Sequence, residues 1–202
     1  MLALPVKEST MFIPRIAWVL LLAGGITSAQ APATPKIAPD KPPTVGQVLD
    51  RSLTNLEREF VPAAEAMAEA TFAFAPTSGE FKGVKTFAQQ VRHVASANYM
   101  FAAGIAGEKA SAELGGENGP EALKTKAEIV QYLKESFAYA HKAFGGITEA
   151  NATAAIPAPW GQGTTTRLSL ANFTIAHGFD HYGQMVVYLR MNGIIPPASR
   201  KQ

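Results

Sequence analysis

The chain has 202 residues, 47% of them hydrophobic and 17% charged, a balance that can build the core of one globular domain plus a tail. A formal net charge of +2 without a long basic run gives no sign of a nucleic-acid surface. There is no cysteine, so disulfides, thiolate metal sites and a cysteine nucleophile are excluded, and any metal must be held by His, Asp or Glu.

Residues 1–29 read as a signal segment. Lys7 and Arg15 supply positive charge, and Ile16–Ile26 is apolar but short for a bilayer span. Small residues at Thr27, Ser28 and Ala29 offer a cleavage site, and Met11 is an alternative start. The expectation is an exported protein, periplasmic or secreted, with no stable membrane insertion after cleavage. Residues 30–43 are rich in Pro and Ala without a periodic apolar face, as expected of an extended, disordered leader. A folded domain is expected over 44–197, followed by a short tail at 198–202.

The first helix is predicted over Thr44–Ala70. Thr44 and Gln47 have capping-box spacing, and Val48, Leu53, Leu56, Phe60 and Val61 recur at helical intervals. Pro62 predicts a kink or break. Pro76, Gly79 and Gly83 mark Phe72–Lys85 as a loop. A second helix over Thr86–Ile105 opens on the Thr86/Gln89 pair and carries His93 among small and apolar neighbours. The polar, glycine-containing stretch Glu108–Lys124 is a loop. Thr125 and Glu128 open a third helix that runs to Phe144. Ile147–Arg167, with two prolines and two glycines around Trp160, is a long connection of the kind that forms a lid or wall. A fourth helix, Leu168–Asn192, ends at Gly193, and Pro196 and Pro197 prevent its continuation. With no alternating strand pattern, the predicted class is all-α, a four-helix bundle whose long connections allow a crossover.

The fourth helix carries His177 and His181. A separation of four residues turns an α-helix by about 40°, so both imidazoles leave one face, one turn apart. If the second and fourth helices are neighbours, His93 can complete a three-histidine site for a divalent metal. Neutral imidazoles suit zinc, nickel, iron or copper, with zinc or nickel expected, and three protein ligands leave one or more positions open, the pattern of a catalytic centre. Asp180 is the candidate catalytic residue, either as a base on bound water or as the group that orients a ligand ring. Gln184, three positions past His181 on the same face, is placed to bond a ligand or bound water. Tyr99 and Trp160 are candidates for the pocket wall. His141 on the third helix is read as a bystander. Position 178 is Gly, so the motif is not the metalloprotease H-E-x-x-H.

Two segments, Q-V-R-H-V-A-S-A-N-Y at Gln90–Tyr99 and H-G-F-D-H-Y-G-Q-M-V-V-Y-L-R-M-N-G-I-I-P-P at His177–Pro197, resemble the DinB-like superfamily. The resemblance covers about Thr44–Pro197, and its most specific part is H-x-x-x-H-x-G-Q followed by an apolar run. It implies a four-helix bundle with a three-histidine metal site on His93, His177 and His181. Similar proteins include S-transferases and isomerases that use bacillithiol or mycothiol, and metal-dependent hydrolases. Expected export sets this chain apart from a cytosolic thiol cosubstrate.

Three readings of the chain follow. The first is a metal-dependent enzyme, a hydrolase or thiol S-transferase, acting on a small molecule, with a homodimer compatible. The second is a non-catalytic module that binds a metal or a ligand. The third is a structural bundle, favoured if His93 lies far from the His177/His181 face.

Overall fold

The structure, a computed structural model, describes residues 42–201. The expected signal segment and all but the last two residues of the expected leader lie outside the described residues. Four helices dominate: α1 (Val45–Ala66), α2 (Phe87–Ala106), α3 (Lys126–Gly145) and α4 (Arg167–Met191). None of them is long and apolar enough to cross a membrane.

The threonines that precede α1, α2 and α3 form the predicted capping boxes with Gln47, Gln89 and Glu128. Each threonine hydroxyl accepts the N3 amide, and each N3 side chain returns to the cap amide. That satisfies donors a helix start otherwise leaves orphaned, and losing such a cap costs about 1 kcal/mol. Thr166 caps α4 more simply, accepting from the Ser169 amide.

Two sequence expectations are corrected. The first helix stops at Ala66, not Ala70, and Pro62 sits inside it without ending it. Met67 turns to an extended conformation and buries its side chain completely. The terminal carbonyls of Glu65 and Met67 accept from the Lys126 ammonium at 2.7 and 2.6 Å, and the Glu69 carboxylate accepts the Lys126 amide. The helix end is therefore set by a charge brought in from α3, where a cation opposes the negative end of the helix dipole. The second correction concerns the connection before α4. It holds an antiparallel ribbon, β1 (Ala155–Pro157) and β2 (Thr164–Thr166), so the fold is mostly helical rather than all-α. Ile156 buries itself on the bundle and three consecutive threonines supply β-branched partners.

The helices form a ring in the order α1, α3, α2, α4: α2 packs on α3 and α4, and α1 on the same two. Consecutive helices α1 and α2 thus lie across a diagonal, as do α3 and α4. The stretches 67–86 and 146–166 make these diagonal crossings. The core is filled by Leu53, Leu56, Phe60, Phe87, Phe137 and Phe144, all completely buried. Gly46 lets α1 meet the end of α3: a Cβ there would stand 2.6 Å from the Ile147 carbonyl oxygen. What matters for function is that α2 and α4 are direct neighbours.

Candidate metal centre

His93 leaves α2 toward α4 and meets His177 and His181. One nitrogen from each ring lies within 4.8 Å of the others. The Nε2 atom of His177 stands 3.0 Å from that of His93 and 3.1 Å from that of His181. Nitrogens sharing a tetrahedral zinc at about 2.0–2.1 Å lie about 3.3 Å apart, close to this spacing.

The protons on two of these rings follow from their other partners. His93 donates from Nδ1 to the Glu117 carbonyl oxygen at 2.7 Å, which leaves its Nε2 as a bare lone pair. For His181 the argument starts at Asp180, whose carboxylate only accepts. Gln184 must turn its amide nitrogen to Asp180 Oδ2 at 3.2 Å. Its oxygen then accepts from Gln90 Nε2 at 2.9 Å. Gln90 is left with its oxygen facing His181, whose Nδ1 donates to it. His181 Nε2 is therefore a lone pair as well. A proton on His177 Nε2 can serve one of these two neighbours, not both. The lone pair of the other neighbour then faces the same nitrogen with no proton between them, an arrangement that a shared cation relieves. The donor set fits a divalent metal of the zinc or nickel kind.

Burial lowers the pKa of all three rings. His177 and His181 are brought to about 4, by burial first and by their histidine neighbours second, and His93 is lowered in the same sense by burial. Neutral rings at pH 7 are the form that binds metal. Phe101 and Phe173 flank His177 at ring separations of 6.0 and 5.9 Å and add to its burial. Among the described residues His177 Nδ1 is buried without a hydrogen-bond partner, so on that side the ring is positioned by packing.

The Glu117 carbonyl reaches His93 because glycines let its loop lie on α2. Gly119 has φ +72°, and a Cβ there would come within 2.7–2.8 Å of Arg92, the residue before His93. Arg92 in turn donates to the carbonyls of Pro120 and Leu123 and holds the loop down. The Glu117 carboxylate bonds Lys85 at 3.1 Å, and that bond, followed by the field of His93, pulls its pKa down.

Gly178, between the two α4 histidines, faces α1. A Cβ there would stand 2.3 Å from Leu56 Cδ2, and Leu56 is completely buried. A glutamate at this position would point into the core, which is a physical reason why the metalloprotease pattern does not fit this helix.

The other predicted site residues are spread more widely. A cavity of about 180 Å³ has His93 in its wall together with Met100, Leu114 and Glu117. Asp180, Tyr99 and Trp160 are not among its lining residues. Asp180 is exposed and acts on the site through Gln184. Gln184 bonds Gln90 rather than a ring nitrogen. Tyr99 lies between Tyr132 and Tyr139 on the α3 side of α2. Trp160 sits between β1 and β2 at the turn of the ribbon, 56% exposed. His141 bonds Asp50 and Glu57 of α1, away from the other three histidines. Sequence reasoning gave no role to Gln90 or Glu117. The Gln90–His93 spacing of three residues was a usable signal, since it places both on one helical face. Glu117 acts through a backbone carbonyl, which leaves no mark in a sequence.

A family model described as the DinB superfamily matches residues 52–185. Among solved structures, a DinB-like protein from Bacillus cereus superposes with a TM-score of 0.61 at 17% identity, covering 74% of this chain and 93% of that one. At that identity the likeness speaks for the fold. No curated protein matches.

Proposed function

This chain belongs to the DinB superfamily, and we propose that it is an exported metal-dependent enzyme, with His93, His177 and His181 as ligands of a zinc or nickel ion. One observation carries the reading: three Nε2 atoms converge while bonds at Nδ1 keep the lone pairs of His93 and His181 turned inward. When bound, such a cation polarises a substrate or lowers the pKa of a water or thiol.

The chain's own residues have separate tasks in this reading. The Glu117 carbonyl and the Gln90 amide hold two rings in their metal-binding tautomers. Asp180 is a positioning residue that fixes the direction of the Gln184 and Gln90 amides. Phe101 and Phe173 limit water at His177. The cavity lined by His93 leaves open space on one side of that ligand, which supports an enzyme over a closed storage module. The signal-like pattern of residues 1–29 supports export, and with it hydrolysis ahead of transfer to a cytosolic thiol.

Elemental analysis of natively purified protein tests the proposal. About one equivalent of metal is expected, with loss in His181→Ala. Metal-free protein that takes up neither zinc nor nickel overturns it. Metal-loaded protein without turnover in ester, amide and thiol-transfer screens leaves the non-catalytic binding module.

A further inference from the structure

We infer that the substrate is an amphiphile whose coordinating group sits at the histidines and whose apolar tail lies along α2, an inference that rests on the metal reading above. His93, Ala97, Met100, Gly104 and Gly107 follow one another at three- and four-residue steps and form a single stripe along the helix. The cavity at His93 is also lined by Met100 and Leu114. Those same two residues line a second cavity, of about 650 Å³, which continues to Gly107 and to the ribbon at Pro157 and Pro159. The two spaces share a wall and run from the ligand His93 along 14 residues of helix, about 21 Å at 1.5 Å per residue.

The chemistry of the walls selects the occupant. The larger cavity meets methyl, proline and methionine surface, with charge from Glu108 and Lys109 at its far end, while Ser96 and Glu117 line the His93 end of the path. Glu108 is already held by the Tyr139 hydroxyl at 3.2 Å. Along the apolar part of the larger cavity a sugar or a peptide would find few partners to replace its hydrogen bonds to water. An alkyl or isoprenoid tail needs none, and each methylene it buries strengthens binding by about fourfold. The volume falls in the range of about 300–1,000 Å³ that small-molecule sites occupy.

Alkyl hydroxamates test this, because the hydroxamate coordinates the metal and the chain probes the trough. Full-length protein is stripped with chelator, loaded with zinc and titrated calorimetrically with the series from acetyl to decanoyl. Affinity is expected to rise by more than about 100-fold across the series. Met100→Trp, which obstructs the junction of the two cavities, should flatten the series. Ala112→Trp in the loop wall is the second variant should the first fail to fold. A flat series on zinc-loaded wild type that still binds acetohydroxamate overturns the amphiphile and leaves the metal centre standing. Failure to bind zinc overturns both. A steep series that persists in the folded variants overturns the placement along α2.

Discussion

Asp180 and His181 are adjacent in the sequence but leave α4 about 100° apart, and a path of hydrogen bonds through Gln184 and Gln90 joins their side chains. The carboxylate cannot donate, so each amide along the path has one permitted orientation, and the last one determines which His181 nitrogen carries the proton. An exposed charge thus decides the protonation of a ring that is 8% exposed.

Cutting this path should weaken the metal site without removing a ligand. Gln90→Leu is expected to lower zinc affinity by about 10–100-fold, the usual effect of losing a partner behind a metal-binding histidine. Asp180→Asn, which keeps one acceptor, should cost less than about tenfold. Zinc competition measures both. Nitrogen NMR of His181 in metal-free protein should show the Nδ1–H tautomer in wild type and a mixture in Gln90→Leu. An unchanged tautomer in that variant would refute the positioning role.

The loop at Gly119 should be as important to His93 as Gln90 is to His181. Gly119→Ala puts a Cβ into Arg92 and onto a left-handed backbone, a combination expected to cost about 1–3 kcal/mol. The loop would lift and free His93 Nδ1. Zinc affinity should fall together with the urea midpoint, whereas Gly116→Ala, with open space at its Cβ, should change zinc affinity little.

Gly178 sets the approach of α4 to α1. Gly178→Ala gains up to about 1 kcal/mol of helix propensity, but overpacking against buried Leu56 typically costs about 1–3 kcal/mol. Net destabilisation is expected in chemical denaturation. Leu56→Ala should be less damaging in the Gly178→Ala background than in wild type, because the new methyl occupies part of the space the leucine vacates. Strict additivity would show that the two side chains do not compete.

His141 gives stability a pH dependence separate from the metal centre. Burial lowers its pKa, but bonds to Asp50 and Glu57, with the field of both carboxylates, outweigh that and leave it raised above 6.5. The raised value means the folded state holds the proton more tightly than the unfolded chain. The contribution is therefore complete below pH 6.5 and is lost as pH rises through the folded value. Both carboxylates are more than a third exposed, so the effect should be about 1 kcal/mol or less. The difference in urea midpoint between wild type and His141→Gln should be larger at pH 6 than at pH 9; the reverse trend would contradict the ion pair.

The sequence by itself determined the helix starts and the pairing of His177 with His181. Both are local: a capping box needs four consecutive residues, and the four-residue step of two histidines is fixed by helix geometry alone. It also offered His93 as the third member, on motif resemblance and on the condition that α2 and α4 touch. Only the tertiary structure decided that condition, through a ring order that sets α1 across from α2 and makes α4 the neighbour of both. It likewise ended α1 at Ala66 through Lys126, paired two three-residue strands too short to show alternation, and turned Tyr99 toward α3. For Asp180 the sequence leaves open a base on bound water or a group that orients a ligand ring, and its place at the outer end of an amide path is visible only with Gln90 and Gln184 in position. Contacts between residues far apart in the chain leave no periodicity to read, because their geometry is set by how whole helices pack.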